Sequence, residues 1–149
     1  MTGNEMWQAF CHAAKIDENT EHEIWNFYDG DGLADELAKL VCDGVKTATA
    51  SAQIAYETEN EALPGVGDYS VILFDNDEAA CVIRNTKVSV VPFDQVSAEH
   101  AYKEGEDDRS LQTWREVHRR AFTPDYEAAG LEFDEKGDCV LEEFEVVYR

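Results

Sequence analysis

Apolar residues recur every three or four positions along the front of this chain and at closer spacing further on, a pattern of early helices and later strands. Met6, Phe10, Ala13 and Ala14 share one side of a predicted helix over residues 6–16. Thr20-Glu21-His22-Glu23 has the form of a helix start, a capping threonine with an acid three positions on. It predicts a second helix with Ile24, Trp25, Phe27 and Tyr28. Asp29-Gly30-Asp31-Gly32 reads as a turn, with a faint likeness to a calcium loop whose other ligands are missing. Leu33, Leu37, Leu40 and Val41 define the stripe of a helix over residues 33–42.

Residues 52–60 are polar and without a clear period. Leu63-Pro64-Gly65-Val66-Gly67-Asp68 is a turn leading into a strand over residues 69–74. After the turn Asp75-Asn76-Asp77-Glu78, residues 80–84 and 86–91 predict two further strands of a hairpin or meander. Pro92-Phe93-Asp94 leaves the sheet, and a helix is predicted over residues 97–103, broken by Gly105. Leu111, Trp114, His118 and Phe122 form the stripe of a helix over residues 110–122, which Thr123-Pro124 is expected to stop. Residues 138–148 close the chain as a long strand. The expected fold is α+β: a small, mostly antiparallel β-barrel flanked by helices, in a single domain.

The chemistry concentrates in Asp43-Gly44-Val45-Lys46-Thr47-Ala48-Thr49-Ala50-Ser51. A glycine ends the preceding helix, and hydroxyl side chains then fall at alternate positions. In an extended segment Thr47, Thr49 and Ser51 share one face, beside a lone lysine. Such a row binds a ligand, or supplies a nucleophile and its base. The plain alternatives are a charged Lys46 favoured by a helix C-terminus and an ordinary strand threonine at position 49.

Charge narrows the partners. The 149 residues include 33 acidic and 12 basic side chains, a formal charge of −21. That field repels long polyanions and favours a small ligand over a polymer. Solubility or a salt-rich habitat also accounts for it. Arg109, Arg115, Arg119 and Arg120 form a basic island suited to a phosphate or a carboxylate, although Glu116 and Arg120 also have ion-pair spacing. Glu106, Asp107 and Asp108 read as a solvated acidic loop, and Trp114 and His118 as core residues, with a stacking role for Trp114 as the alternative. Cys11, Cys42, Cys81 and Cys139 lack paired metal-ligand spacing, so reduced thiols and no metal or cofactor are expected. No membrane-length apolar run or secretory leader is visible, and a cytoplasmic location is expected.

Gly44-Val45-Lys46-Thr47-Ala48-Thr49 resembles the Gly-x-Lys-x-x-Thr signature of the ASCH-domain family, whose β-barrel is related to the RNA-binding PUA fold. The likeness extends to Leu33-Ala34-Asp35-Glu36-Leu37, Leu63-Pro64-Gly65-Val66-Gly67-Asp68-Tyr69, Ser97 through Glu106, Asp108-Arg109-Ser110-Leu111, Trp114-Arg115-Glu116-Val117-His118 and the final strand. Together they suggest a bacterial branch, with residues 1–22 as an N-terminal helical extension and 23–149 as the core.

The resemblance implies a role in RNA metabolism or coactivation. Some small members use residues equivalent to Lys46, Thr49 and Glu104 as an amidohydrolase triad on N4-acetylcytidine, and others are ribonucleases. By that resemblance Thr49 is the expected nucleophile, Lys46 its base or oxyanion partner, and Glu104 the orienting group or general acid. Thr47, Ser51, Arg109, Arg115 and Trp114 are expected to line the ligand, a nucleoside-like molecule or RNA. The chain departs from the family at Ser51, where many members have arginine.

Overall fold

The computed structural model describes residues 1–27 and 33–149. Its elements in order are α1 (Gly3–Ala14), β1 (His22–Trp25), α2 (Leu33–Cys42), β2 (Ala48–Ala52), α3 (Gln53–Glu59), β3 (Tyr69–Leu73), β4 (Ala79–Pro92), α4 (Ala98–Glu104), α5 (Leu111–Ala128) and β5 (Asp138–Tyr148). A short 3-10 turn, Phe93–Gln95, follows β4. The strands form one mixed sheet in the order β1-β3-β4-β5-β2, with β1 parallel to β3 and with β3–β4 and β2–β5 antiparallel. The order is linear, ending at β1 and β2, and no pairing among the described residues closes it. The α+β class holds, and the pairings among the described residues do not close the sheet into the expected barrel.

The chain divides into two compact units: residues 1–46, 66–86 and 144–149, and residues 47–65 and 87–143. In the first, successive residues of β3 face opposite sides of the sheet. Val71 and its partner Val82 meet Met6, Trp7 and Phe10 of α1. Ile72 and its partner Cys81 meet Ala38 and Val41 of α2. Thr2 caps α1 by accepting the Glu5 N–H at 3.1 Å.

In the second unit, α4 and α5 pack on β2, and Phe93, Ala101, Trp114, Phe122, Tyr126 and Leu141 are buried together. Ser97 and Ser110 cap the two helices, accepting the His100 N–H at 3.1 Å and the Thr113 N–H at 3.2 Å.

Three local expectations are corrected, and one stretch without an expectation gains an element. The helix predicted from Thr20 is instead strand β1, whose four residues pair with Tyr69–Ile72. There, sheet pairing and the partial burial of Trp25 outweigh a short capping signal. The two strands expected around Asn85 are one, β4, because the Asn85 N–H donates to the Asp68 carbonyl and its carbonyl accepts from Gly67. Residues Gln53–Glu59 form a helix. Finally, α5 runs through Pro124 to Ala128; Pro124 and Arg120 are both exposed, so water can satisfy the carbonyl that proline leaves without a donor. The Asp29-Gly30-Asp31-Gly32 turn and Tyr28 lie outside the described residues.

Candidate functional site

Glu104 is the last residue of α4, and Gly105 ends the helix there with a positive φ of 72°. Its side chain is only 2% exposed. Burying a carboxylate is costly unless donors surround it, and here they do. His100, one helical turn earlier, places Nε2 2.7 Å from Oε2, and Trp114 of α5 donates its indole N–H to the same oxygen at 2.5 Å. His118 brings Nε2 to 3.3 Å from Oε1.

The two α5 side chains brace each other. The rings of Trp114 and His118, one turn apart, stack with centroids 4.1 Å apart. The Trp114 carbonyl can only accept, so the 2.8 Å contact to His118 Nδ1 places a hydrogen on that nitrogen. Glu104 and His118 line a small cleft with Glu106, Asp107, Ser110 and Thr113.

Asp108 is no free acid of a solvated loop. It accepts the Ser110 N–H at 2.9 Å and the Ser110 and Thr113 hydroxyls at 2.7 and 3.0 Å, and these bonds hold its carboxyl below the usual range. It therefore organises the start of α5.

Thr49 and Ser51 of the hydroxyl row lie two positions apart in β2, and Thr47 precedes the strand. Ala48 and Ala52 are buried in β2, while Thr47, Thr49 and Ser51 are partly exposed. Thr47 is tied to the end of α4: its N–H donates to the Lys103 carbonyl at 2.8 Å, and its hydroxyl reaches the same oxygen at 3.3 Å. Thr49 pairs across the sheet with Glu142, and Ser51 Oγ lies 2.8 Å from Tyr56 Oη. Lys46, the last residue of the first unit, is 1% exposed, with Nζ 5.3 Å from the Phe27 ring centroid. Its N–H donates to the Leu40 carbonyl at 3.1 Å.

Within the second unit, then, Glu104 and Trp114 meet directly, and Thr47 is bonded to the residue before Glu104. Cys139 of β5 also senses Glu104: burial first, then the charges of Asp138 and Glu104, push its thiol up to about 12.

The arginine island is engaged by the protein itself. Arg109 donates to the Tyr102 carbonyl at 2.9 Å and lies 3.6 Å from the Tyr102 ring centroid. Arg115 donates to the Asp94 carbonyl at 3.1 Å, Arg119 pairs with Glu135, and Arg120 reaches the Glu116 carbonyl at 3.5 Å.

Sequence reasoning did not single out His100 or Glu142. The i,i+4 spacing of His100 and Glu104 was legible, but the pairing of Glu142 with Thr49 depends on sheet register. Among the described residues no cluster of His, Cys, Asp and Glu side chains is arranged to hold a metal ion, and no helix is long and apolar enough to cross a membrane.

Comparison with known proteins places the chain in a family. The ASCH-domain family model matches residues 23–148. The ASCH domain from Lactobacillus crispatus JV V101 is 32% identical, with 97% of this chain and 96% of that one covered and a TM-score of 0.85. Protein EF3133 from Enterococcus faecalis V583 is 34% identical, with 98% and 88% covered and a TM-score of 0.88. Hypothetical protein PH0355, at 15% identity and a TM-score of 0.52 over 85% of this chain and 100% of that one, shares the fold alone. None of the curated proteins matches this chain.

Proposed function

Since this chain belongs to the ASCH-domain family, we propose that it is an amidohydrolase acting on an acylated pyrimidine nucleoside of the N4-acetylcytidine type. Thr49 attacks the acyl carbon. Lys46 takes the hydroxyl proton or stabilises the oxyanion that forms. The C–N bond then breaks, the leaving amine is protonated, and water releases acetate from the acyl-threonine. Glu104 orients the reacting groups or moves the proton to the leaving amine.

The supporting observation is the state of Glu104. A side chain that is 2% exposed and held by His100 and Trp114 is not a solvated surface acid. Trp114 donates an N–H to Oε2 and His100 Nε2 contacts the same oxygen; donors on a carboxylate favour its anion, which suits Glu104 to orienting a neighbour. The bond from Thr47 to Lys103 adds support, because it ties the strand of Thr49 to the helix end of Glu104.

RNA binding and RNA cleavage, the other readings of the family, have less support. All four arginines of the basic island donate to protein acceptors, and the net charge is −21.

The deciding experiment is acetate release from N4-acetylcytidine by the wild type, Lys46→Ala and Thr49→Ala. Turnover that is lost in both variants is expected. Turnover unchanged in Thr49→Ala overturns the nucleophile assignment, and a folded wild type that releases no acetate overturns the activity.

A further inference from the structure

We propose that Cys42 and Cys81 form a reactive dithiol, which a low-molecular-weight disulfide such as oxidised glutathione converts to an internal disulfide. The site lies wholly in the first unit and does not depend on the acyl-transfer reading. Cys42 is the last residue of α2 and Cys81 sits in β4. Cys42 packs against the apolar cluster that contains Cys81, and its Sγ is 3.6 Å from the carbonyl oxygen of Ala80, next to Cys81 in the strand. The remaining cysteines sit in other places: Cys11 is buried in the α1 cluster and Cys139 in the core of the second unit.

The two thiols differ in access, which orders the chemistry. Cys42 is partly exposed and Cys81 fully buried, so an outside reagent meets Cys42 first. The Cys42 thiolate attacks one sulfur of the reagent, the reagent's S–S bond breaks, and one small thiol leaves with the proton that Cys42 lost. Cys81 then gives up its proton and attacks Cys42 Sγ, expelling the second small thiol. One disulfide is reduced to two thiols while the protein loses two protons and two electrons.

Burial first, and then the neighbouring Cys42 sulfur, push the Cys81 thiol up; the charge of Arg149, whose guanidinium donates to the Cys42 carbonyl, offsets only part of that rise.

Closure would pin the end of α2 to β4. The turn beyond α2 hangs on that end: the Gly44 N–H donates to the Val41 carbonyl, and the Val45 and Lys46 N–H groups both donate to Leu40. Cross-linking Cys42 to Cys81 therefore stiffens the turn that leads to Lys46.

The test is intact-mass analysis and peptide mapping of the folded protein after oxidised glutathione, with Cys42→Ser and Cys81→Ser as partners. The wild type is expected to lose two hydrogens and give a single cross-linked peptide pair containing Cys42 and Cys81, reversed by dithiothreitol. Cys81→Ser should stop at a glutathione adduct on Cys42, and Cys42→Ser should take up none. The wild-type result stands even if a variant fails to fold. A wild type that stays unmodified, keeps a stable adduct on Cys42, or cross-links through Cys11 or Cys139 overturns the proposal.

Discussion

Trp114 donates its indole N–H to Glu104 Oε2 at 2.5 Å, so a core residue of α5 fixes the carboxylate at the end of α4. Trp114 is 5% exposed and packs against Phe93, with centroids 5.4 Å apart. The same side chain therefore joins the hydrophobic core to the candidate chemistry.

Replacing Trp114 by Phe keeps much of the ring packing and removes the donor. A hydrogen bond to a buried charged group is worth roughly 1.5–3 kcal/mol, and Trp114→Phe should lower the unfolding free energy by about that amount. In a Glu104→Gln background the cost should shrink, because the buried charge is already gone. Urea unfolding of the four proteins measures the coupling. Equal costs in both backgrounds would assign the effect to lost ring volume.

Gly44 has a φ of +76°, and a Cβ built there meets nothing within 4 Å. The constraint is thus conformational. A left-handed residue bearing a Cβ costs roughly 1–2 kcal/mol, and asparagine tolerates that region better. Gly44→Ala should lose about that much stability and Gly44→Asn clearly less, as read by thermal unfolding. If the turn also sets Lys46, Gly44→Ala should lower acetate release while Gly44→Asn retains most of it. Equal stability losses in the two variants would contradict the conformational account.

The arginines of α5 should behave as structural residues. Arg115 binds the Asp94 carbonyl at 3.1 Å, while Arg119 pairs with Glu135 and lies 5.2 Å from the Phe133 ring centroid. The Arg119 pair is half-exposed and worth at most about 1 kcal/mol, and the Arg115 bond is of similar size. Arg115→Ala and Arg119→Ala should each cost about 0.5–1.5 kcal/mol in urea unfolding. Neither should change binding to single-stranded RNA in a salt titration. A steep salt dependence that falls in Arg115→Ala would return the island to phosphate binding.

Much of this was legible where a local rule and the tertiary structure agree. The stripe of Leu37 and Val41, the serine caps at Ser97 and Ser110 and the strand β2 each follow from one short stretch. The misreadings share a cause. β1 is short and paired with a distant strand, Asn85 looked like a break because its partners lie in the preceding turn, and Pro124 faces water. At the candidate site, Lys46, Thr49 and Glu104 came from motif resemblance. The burial of Glu104 beneath two histidines and a tryptophan could not, because it needs α5 packed on α4. Trp114 and His118 were read as core; Trp114 is buried in it while His118 is only partly buried, and both contact the Glu104 carboxylate.

Lys103 and Glu143 make the pH dependence of this arrangement testable. The Lys103 ammonium lies 2.8 Å from Glu143 and also pairs with Glu99, so α4 is held to β5 beside the carbonyl that binds Thr47. The hydrogen bond from Lys103 holds the Glu143 carboxyl below its usual range, and the same bond raises Lys103 above its own. A lowered carboxyl contributes stability that is complete above its unfolded value and is lost as pH falls through the folded one. A raised lysine contributes stability that is complete below its unfolded value and is lost as pH rises through the folded one. The tie is therefore strongest across the neutral range. Both groups are partly exposed, so Glu143→Gln should cost no more than about 1 kcal/mol at neutral pH. The gap between wild type and variant should close in acid below the ordinary glutamate range, and again in alkali above the ordinary lysine range. Thermal unfolding as a function of pH reads both limbs. A gap that persists unchanged in acid would show that Glu143 acts through packing rather than charge.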